Sequence, residues 1–179
     1  MNKAEFFNQI WLTLLDKGLL ALILAGAAFW LNRVLEAFKS KLSMQQETAR
    51  GVKTAVLDLT RKLAAGSHVI SWPTWTPINI TWLDERKFAT YQKEMAAIVN
   101  DLVGLQASLA ALDHSKHGML RPFAEELYTR DNEATLAMRK FLDSKSPDRK
   151  SEISELKRIY DASLDFDRRL LSVVTDLVK

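Results

Sequence analysis

Gly18 to Leu31 runs for fourteen residues without a charge, between Asp16-Lys17 and Asn32-Arg33, inside "DKGLLALILAGAAFWLNRVLEAFKSKL". This stretch constrains the fold more than any other. A helix crossing a hydrocarbon layer of roughly 30 Å needs about 20 mainly apolar residues at about 1.5 Å each. Fourteen are too few. Ile10, Trp11, Leu12, Leu14 and Leu15 extend the apolar run backward, and Val34 and Leu35 extend it forward. Trp11 and Trp30 then stand near the two ends, where an apolar ring with one N–H donor prefers the interface.

Asp16 and Lys17 complicate that span. Lys17 can snorkel its ammonium toward water while its stem stays in hydrocarbon, but a carboxylate has no such reach and is costly at depth. Either the hydrocarbon segment begins near Lys17, with "FFNQIWLTLL" along the interface, or Asp16 pairs across a seam with a neighbouring subunit. The mixed charge of the first 17 residues argues against a signal peptide. A soluble bundle that buries residues 18 to 31 is the competing reading. The stretch is apolar all round, which a domain of this size seldom accommodates. Gly18, Ala21, Ala25 and Ala28 lie near one stripe, and small residues let helices approach closely in lipid.

Charge then sets an orientation. Arg33, Lys39, Lys41, Arg50 and Lys53 outnumber Glu36 and Glu47 over residues 33 to 53. By the positive-inside rule the short N-terminus faces out and the C-terminal part lies in the cytoplasm. Arg33, Lys39 and Lys41 are placed to meet anionic lipid headgroups. The whole-chain formal charge of +3 is too small to argue for specific nucleic-acid binding. Zero cysteines exclude disulfides, thiol catalysis and Cys-ligated metals.

Beyond the span no proline interrupts the chain until residue 73. Leu35, Phe38, Leu42, Val52, Val56, Leu59 and Leu63 keep helical spacing, which predicts a stalk-like helix with Gly66 as its C-cap. "SHVISWPTWTPINITW" then carries Trp72, Trp75 and Trp82, three of the five tryptophans. They are a candidate partner surface, or a segment whose rings cover the bundle. Phe88, Tyr91, Met95, Ile98, Leu102, Leu105, Leu109 and Leu112 alternate three and four apart, an a/d coiled-coil stripe facing sister helices or an oligomer partner. Gly118 and Pro122 mark a break in "DHSKHGMLRP", placing His114 and His117 at a helix C-terminus. No metal-ligand spacing surrounds them. A third helix is predicted from about Phe123 to Asp143, and a fourth from Ser151 to Val178, with Ser146 and Ser151 as candidate N-caps.

No phosphate loop, GxSxG or nucleophile context appears, so the reading leans away from an enzyme and names no cofactor and no metal. The carboxylate pairs Glu125/Glu126 and Asp165/Asp167 fall on predicted outer faces. The expected fold is all-α: an N-terminal transmembrane helix continuing into a long helix, then an antiparallel helical bundle. Residues 1–42 form the anchor and juxtamembrane helix, and residues 43–179 the cytoplasmic bundle.

Residues 14 to 42 carry Leu14-Leu15-Asp16-Lys17 before the span and Asn32, Arg33, Leu35, Glu36, Phe38 and Lys39 after it. This pattern resembles a group of uncharacterised bacterial single-pass membrane proteins with a helical cytoplasmic domain, often associated with prophages or anti-phage defence. The resemblance implies that Asp16-Lys17 and Asn32-Arg33 frame the span. The expected function is a membrane-anchored helical protein that self-associates or binds a protein partner. Trp11, Asp16, Lys17, Gly18, Ala25, Trp30, Asn32 and Arg33 would be its membrane and assembly residues. The alternative is a membrane-perturbing antiviral effector triggered through the bundle.

Overall fold

In the computed structural model the described backbone covers residues 3–74, 83–145 and 149–177, with side chains described from residue 25 onward. Four helices account for it: α1 Lys3–Thr74, α2 Glu85–Leu112, α3 His114–Asp143 and α4 Lys150–Leu177. No strand occurs among the described residues. The chain divides into two compact units, Met1–Thr48 and Ala49–Lys179.

The second unit is a helical bundle built on four apolar stripes. Leu59, Leu63 and Ile70 of α1, Met95, Leu102 and Leu109 of α2, Leu120, Leu127 and Met138 of α3, and Ile159, Phe166 and Leu170 of α4 are buried together. The three-four alternation read in α2 is the face that turns inward. Phe88, Tyr91, Met95, Ile98, Leu102 and Leu109 are buried, Leu105 is half-buried, and Leu112 is exposed. On α4, Leu156, Ile159, Ser163, Phe166, Leu170 and Leu177 are buried at the same three-four spacing.

Helix ends depart from the sequence reading in three places. Gly66 is not a C-cap: α1 continues through it to Thr74 and carries Pro73 in its last turn. A Cβ built on Gly66 would stand 2.6 Å from Leu127 Cδ2 and 3.4 Å from Ile98 Cγ2. This glycine is there for close approach rather than termination. The Thr74 hydroxyl donates to the Ile70 and Ser71 carbonyls, each at 3.0 Å, and so closes the helix end.

Nor does the chain break at Gly118 and Pro122. One residue, Asp113, separates α2 from α3. It ends α2 by donating its N–H to the Leu109 carbonyl at 2.8 Å and starts α3 by accepting the Lys116 N–H on Oδ1 at 3.0 Å. Pro122 lies inside α3. Proline removes the hydrogen bond to the carbonyl four residues back. That carbonyl belongs to Gly118, and both residues are on the exposed face, where water can serve it. His114 and His117 therefore occupy the first turn of α3, the opposite helix end from the one expected.

At α4, Ser151 lies inside the helix and Ser146 is outside the described residues. The residue before the helix is Arg149, whose φ of 41° is left-handed and whose carbonyl accepts the Ile153 N–H at 2.9 Å. A non-glycine residue there costs about 1–2 kcal/mol. Its guanidinium offsets part of that by lying 4.8 Å over the Phe141 ring and donating to the Ser144 carbonyl at 3.2 Å.

Candidate functional site

Where α1 ends, its last turn faces the first two turns of α2. Val69, Trp72, Pro73, Lys87, Thr90, Tyr91 and Glu94 line a cavity of about 290 Å³ there. Trp72 is 52% exposed, so the one tryptophan of the expected trio that is described is a surface residue. Trp75 and Trp82 lie outside the described residues. The cavity wall is held by Tyr91, whose hydroxyl donates to Asp131 Oδ1 at 2.6 Å. Burial, then the Asp131 carboxylate, push the Tyr91 phenol well above its ordinary range. It therefore stays a protonated structural donor. An indole face beside Lys87 and Glu94 can seat a small amphipathic group.

A second, wide-open depression lies between α1 and α2, lined by Asp58, Arg61, Lys62, Ala65, Asn100, Asp101, Gly104 and Leu105. Its charges are matched locally: Lys62 Nζ meets Asp101 at 2.6 Å and Arg61 meets Asp58 at 3.5 Å. Exposed pairs of this kind contribute about 0–1 kcal/mol each.

Acidic residues assigned to outer faces are partly interior. Glu126 accepts from Arg130 and from Arg169, each at 2.6 Å, while Arg169 also donates to Asp165 at 2.8 Å. The Arg169 hydrogen bonds hold the Glu126 carboxyl below its ordinary value, against the burial that would raise it. Arg130 in turn sits 5.7 Å over the Phe166 ring. The pair Glu126–Arg130 is legible as an i,i+4 spacing, but Arg169 reaches it from α4 across 43 residues of sequence.

Asp167 is the other correction. Its Oδ1 is buried and has no hydrogen-bond partner among the described residues. Beside it Ser67, itself buried, donates to the Ser163 carbonyl at 3.3 Å. Burial pushes the Asp167 carboxyl up, and Ser67, His68 and Arg130 pull it only partly back. A raised folded-state value means that the native protein binds this proton more readily than the unfolded chain. Wild-type stability therefore falls as pH rises from the ordinary value of 3.8 through the folded value, and the loss is complete above it. Relative to Asp167→Asn, the wild type should gain stability on acidification through that window. Parallel urea titrations at pH 7 and pH 4 test this, and a pH-independent difference would contradict it.

Of the residues expected at the membrane, Trp11, Asp16, Lys17 and Gly18 belong to α1, but their side chains are outside the described set. Ala25, Trp30, Asn32 and Arg33 are exposed on the same helix, as are Lys39 and Lys41. Phe29, Trp30, Leu31, Val34, Leu35 and Phe38 together leave a long apolar face uncovered. Among the described residues one helix, α2, is long and apolar enough to cross a membrane. Its hydropathy has a structural source. The inward stripe packs in the bundle core while Ala96, Ala97, Val103, Gly104, Ala107 and Ala111 make the outward face small and apolar. No three histidine, aspartate or glutamate side chains among the described residues are grouped to hold a metal ion.

Comparisons with protein-family models, with curated proteins and with solved structures each find no match.

Proposed function

We propose that this chain is a non-enzymatic, single-pass membrane-anchored assembly protein. Its N-terminal apolar stretch spans a bacterial inner membrane, and its bundle lies in the cytoplasm as an up-and-down arrangement. The observation that carries the reading is α1 itself, one helix from Lys3 to Thr74 that holds both the uncharged stretch and core residues of the bundle. A helix through residues 11 to 31 has the length that a bilayer asks for. The exposed Phe29, Trp30 and Leu31 are costly in water and at home in an interface. Basic Arg33, Lys39 and Lys41 follow directly, as anionic headgroups would favour. Support for the up-and-down arrangement comes from the contacts Glu85–Arg139, Tyr91–Asp131 and Arg158–Glu133, which pair residues early in one helix with residues in the later half of a helix adjacent in sequence.

Carbonate washing of membranes, followed by native electrophoresis of the detergent-solubilised protein, tests this reading. Retention in the pellet and migration above the monomer are expected. Release by carbonate removes the anchor, and a strict monomer without a co-purifying partner removes assembly. Asp16 is the residue to change first, because a carboxylate at the edge of hydrocarbon is costly unless it is paired. Asp16→Ala should remain in the carbonate pellet while assembly weakens about fivefold, the effect of losing roughly 1 kcal/mol of interhelical hydrogen bonding. Unchanged assembly would place Asp16 outside the hydrocarbon.

A further inference from the structure

The stripe that α1 contributes to the bundle core does not stop where burial stops. Leu31, Leu35, Phe38, Leu42, Gln45 and Ala49 stand alternately four and three residues apart, and the same count continues to Val52, Val56 and Leu59. Val56 and Leu59 are 0% exposed, whereas Leu35 is 44%, Phe38 64% and Leu42 45% exposed. One heptad register thus serves two lengths of helix, with its seam filled by α2–α4 in one and open in the other.

The flanks of the open seam say what fits it. An interfacial helix that lies on lipid needs a broad apolar face. Here the residues bordering the seam from position 39 on are Lys39, Lys41, Gln46, Thr48 and Lys53, which leave a strip only one a/d pair wide. A strict two-in-seven stripe is the signature of a coiled-coil partner. In a parallel, in-register pair the facing flanks are Val34 with Lys39, Lys41 with Gln46 and Thr48 with Lys53, so no like charges meet. A parallel pair also brings Gln45 opposite its own copy, where two amides can hydrogen-bond and hold the register. Two chains anchored in one membrane share a direction, and this part of the argument rests on the anchored reading above.

We propose that residues 31–49 of α1 form a parallel, in-register coiled coil with the same residues of a second copy of the chain. Nineteen residues make about 28 Å of helix, under three heptads, which is marginal for free chains. Anchoring in a shared bilayer raises the local concentration and makes the pairing effective.

The absence of cysteine from the chain makes the test clean. Phe38→Cys, Gln45→Cys and Ser40→Cys are each introduced into the full chain and oxidised in native membranes with copper-phenanthroline, with a carbonate wash of a parallel aliquot. Phe38 and Gln45 lie on the seam and outside the bundle core, and Ser40 points away from the seam. Seam thiols in a parallel pair come within disulfide reach, so both seam variants should form covalent dimers at least about tenfold faster than Ser40→Cys. Equal rates at all three positions mean random collision and overturn the proposal. Dimers from Gln45→Cys but not Phe38→Cys mean an antiparallel pair and also overturn it. No seam dimers in carbonate-resistant protein mean that lipid or a different protein covers the stripe; the pairing then falls and the anchor stands. Release by carbonate overturns the anchor, and the ratio of seam to outer cross-links still decides the pairing.

Discussion

Phe166→Ala is expected to destabilise the bundle by about 3–5 kcal/mol, the usual range for truncating a buried phenylalanine. The ring is 0% exposed and meets Phe123 edge-on at 5.7 Å between centroids, at an angle of 75°. Its other face carries the Arg130 guanidinium, so the substitution both opens a cavity and removes the platform beneath a charge that Glu126 must then hold alone. Two effects at one residue place the loss toward the upper part of the range. Leu171→Ala, one turn away and 69% exposed, serves as the control and should shift stability by no more than about 0.5 kcal/mol. Urea unfolding of the full chain in mild detergent, followed by circular dichroism, measures both. A loss below about 1 kcal/mol for Phe166→Ala would mean that the ring is not packed in the core.

Gly66→Val is expected to cost about 3 kcal/mol by overpacking. A Cβ at this position already overlaps Leu127 and touches Ile98, and valine adds two methyls with one strongly preferred rotamer in a helix. Leu127 is itself 0% exposed, so its methyls have little room to retreat. Alanine is the informative comparison. It recovers about 1 kcal/mol of helix propensity over glycine, which offsets the shift asked of Leu127, so Gly66→Ala should lie near neutral. Adding Leu127→Ala to Gly66→Val should cost less than the two single losses combined, by about 1–2 kcal/mol. Strict additivity would show that the two positions do not touch.

How much of this was legible beforehand follows from the range of each interaction. Periodicity is local, so the inward face of α2 from Phe88 to Leu109 could be named from spacing alone. The boundaries were not legible where two signals competed. Gly66 carries a stop signal, yet the apolar stripe runs past it to Ile70, and burial of that stripe outweighs the entropy of one glycine. Gly118 and Pro122 look like a break, yet Phe123 and Leu127 pull the turn into a helix while the proline faces water. Asp113 alone supplies both caps, a use of one side chain and one N–H that no composition window reveals.

The candidate sites divide in the same way. The apolar face of α1 and the basic run after it are properties of one helix, and the sequence determined them by itself, because neighbours on a helix are set by a spacing of 3.6 residues. It also determined that Phe88 to Leu109 would form a seam. Only the tertiary structure decided that this seam is filled from within the chain, which leaves the stretch from Leu31 to Ala49 as the open one. Only the tertiary structure decided that Glu126 and Asp167, alike on paper to Glu125 and Asp165, are partly interior. Arg169, Ser67 and Arg130 reach them from other helices, and contacts between residues 37 to 100 positions apart depend on how helices pack, not on the residues beside them.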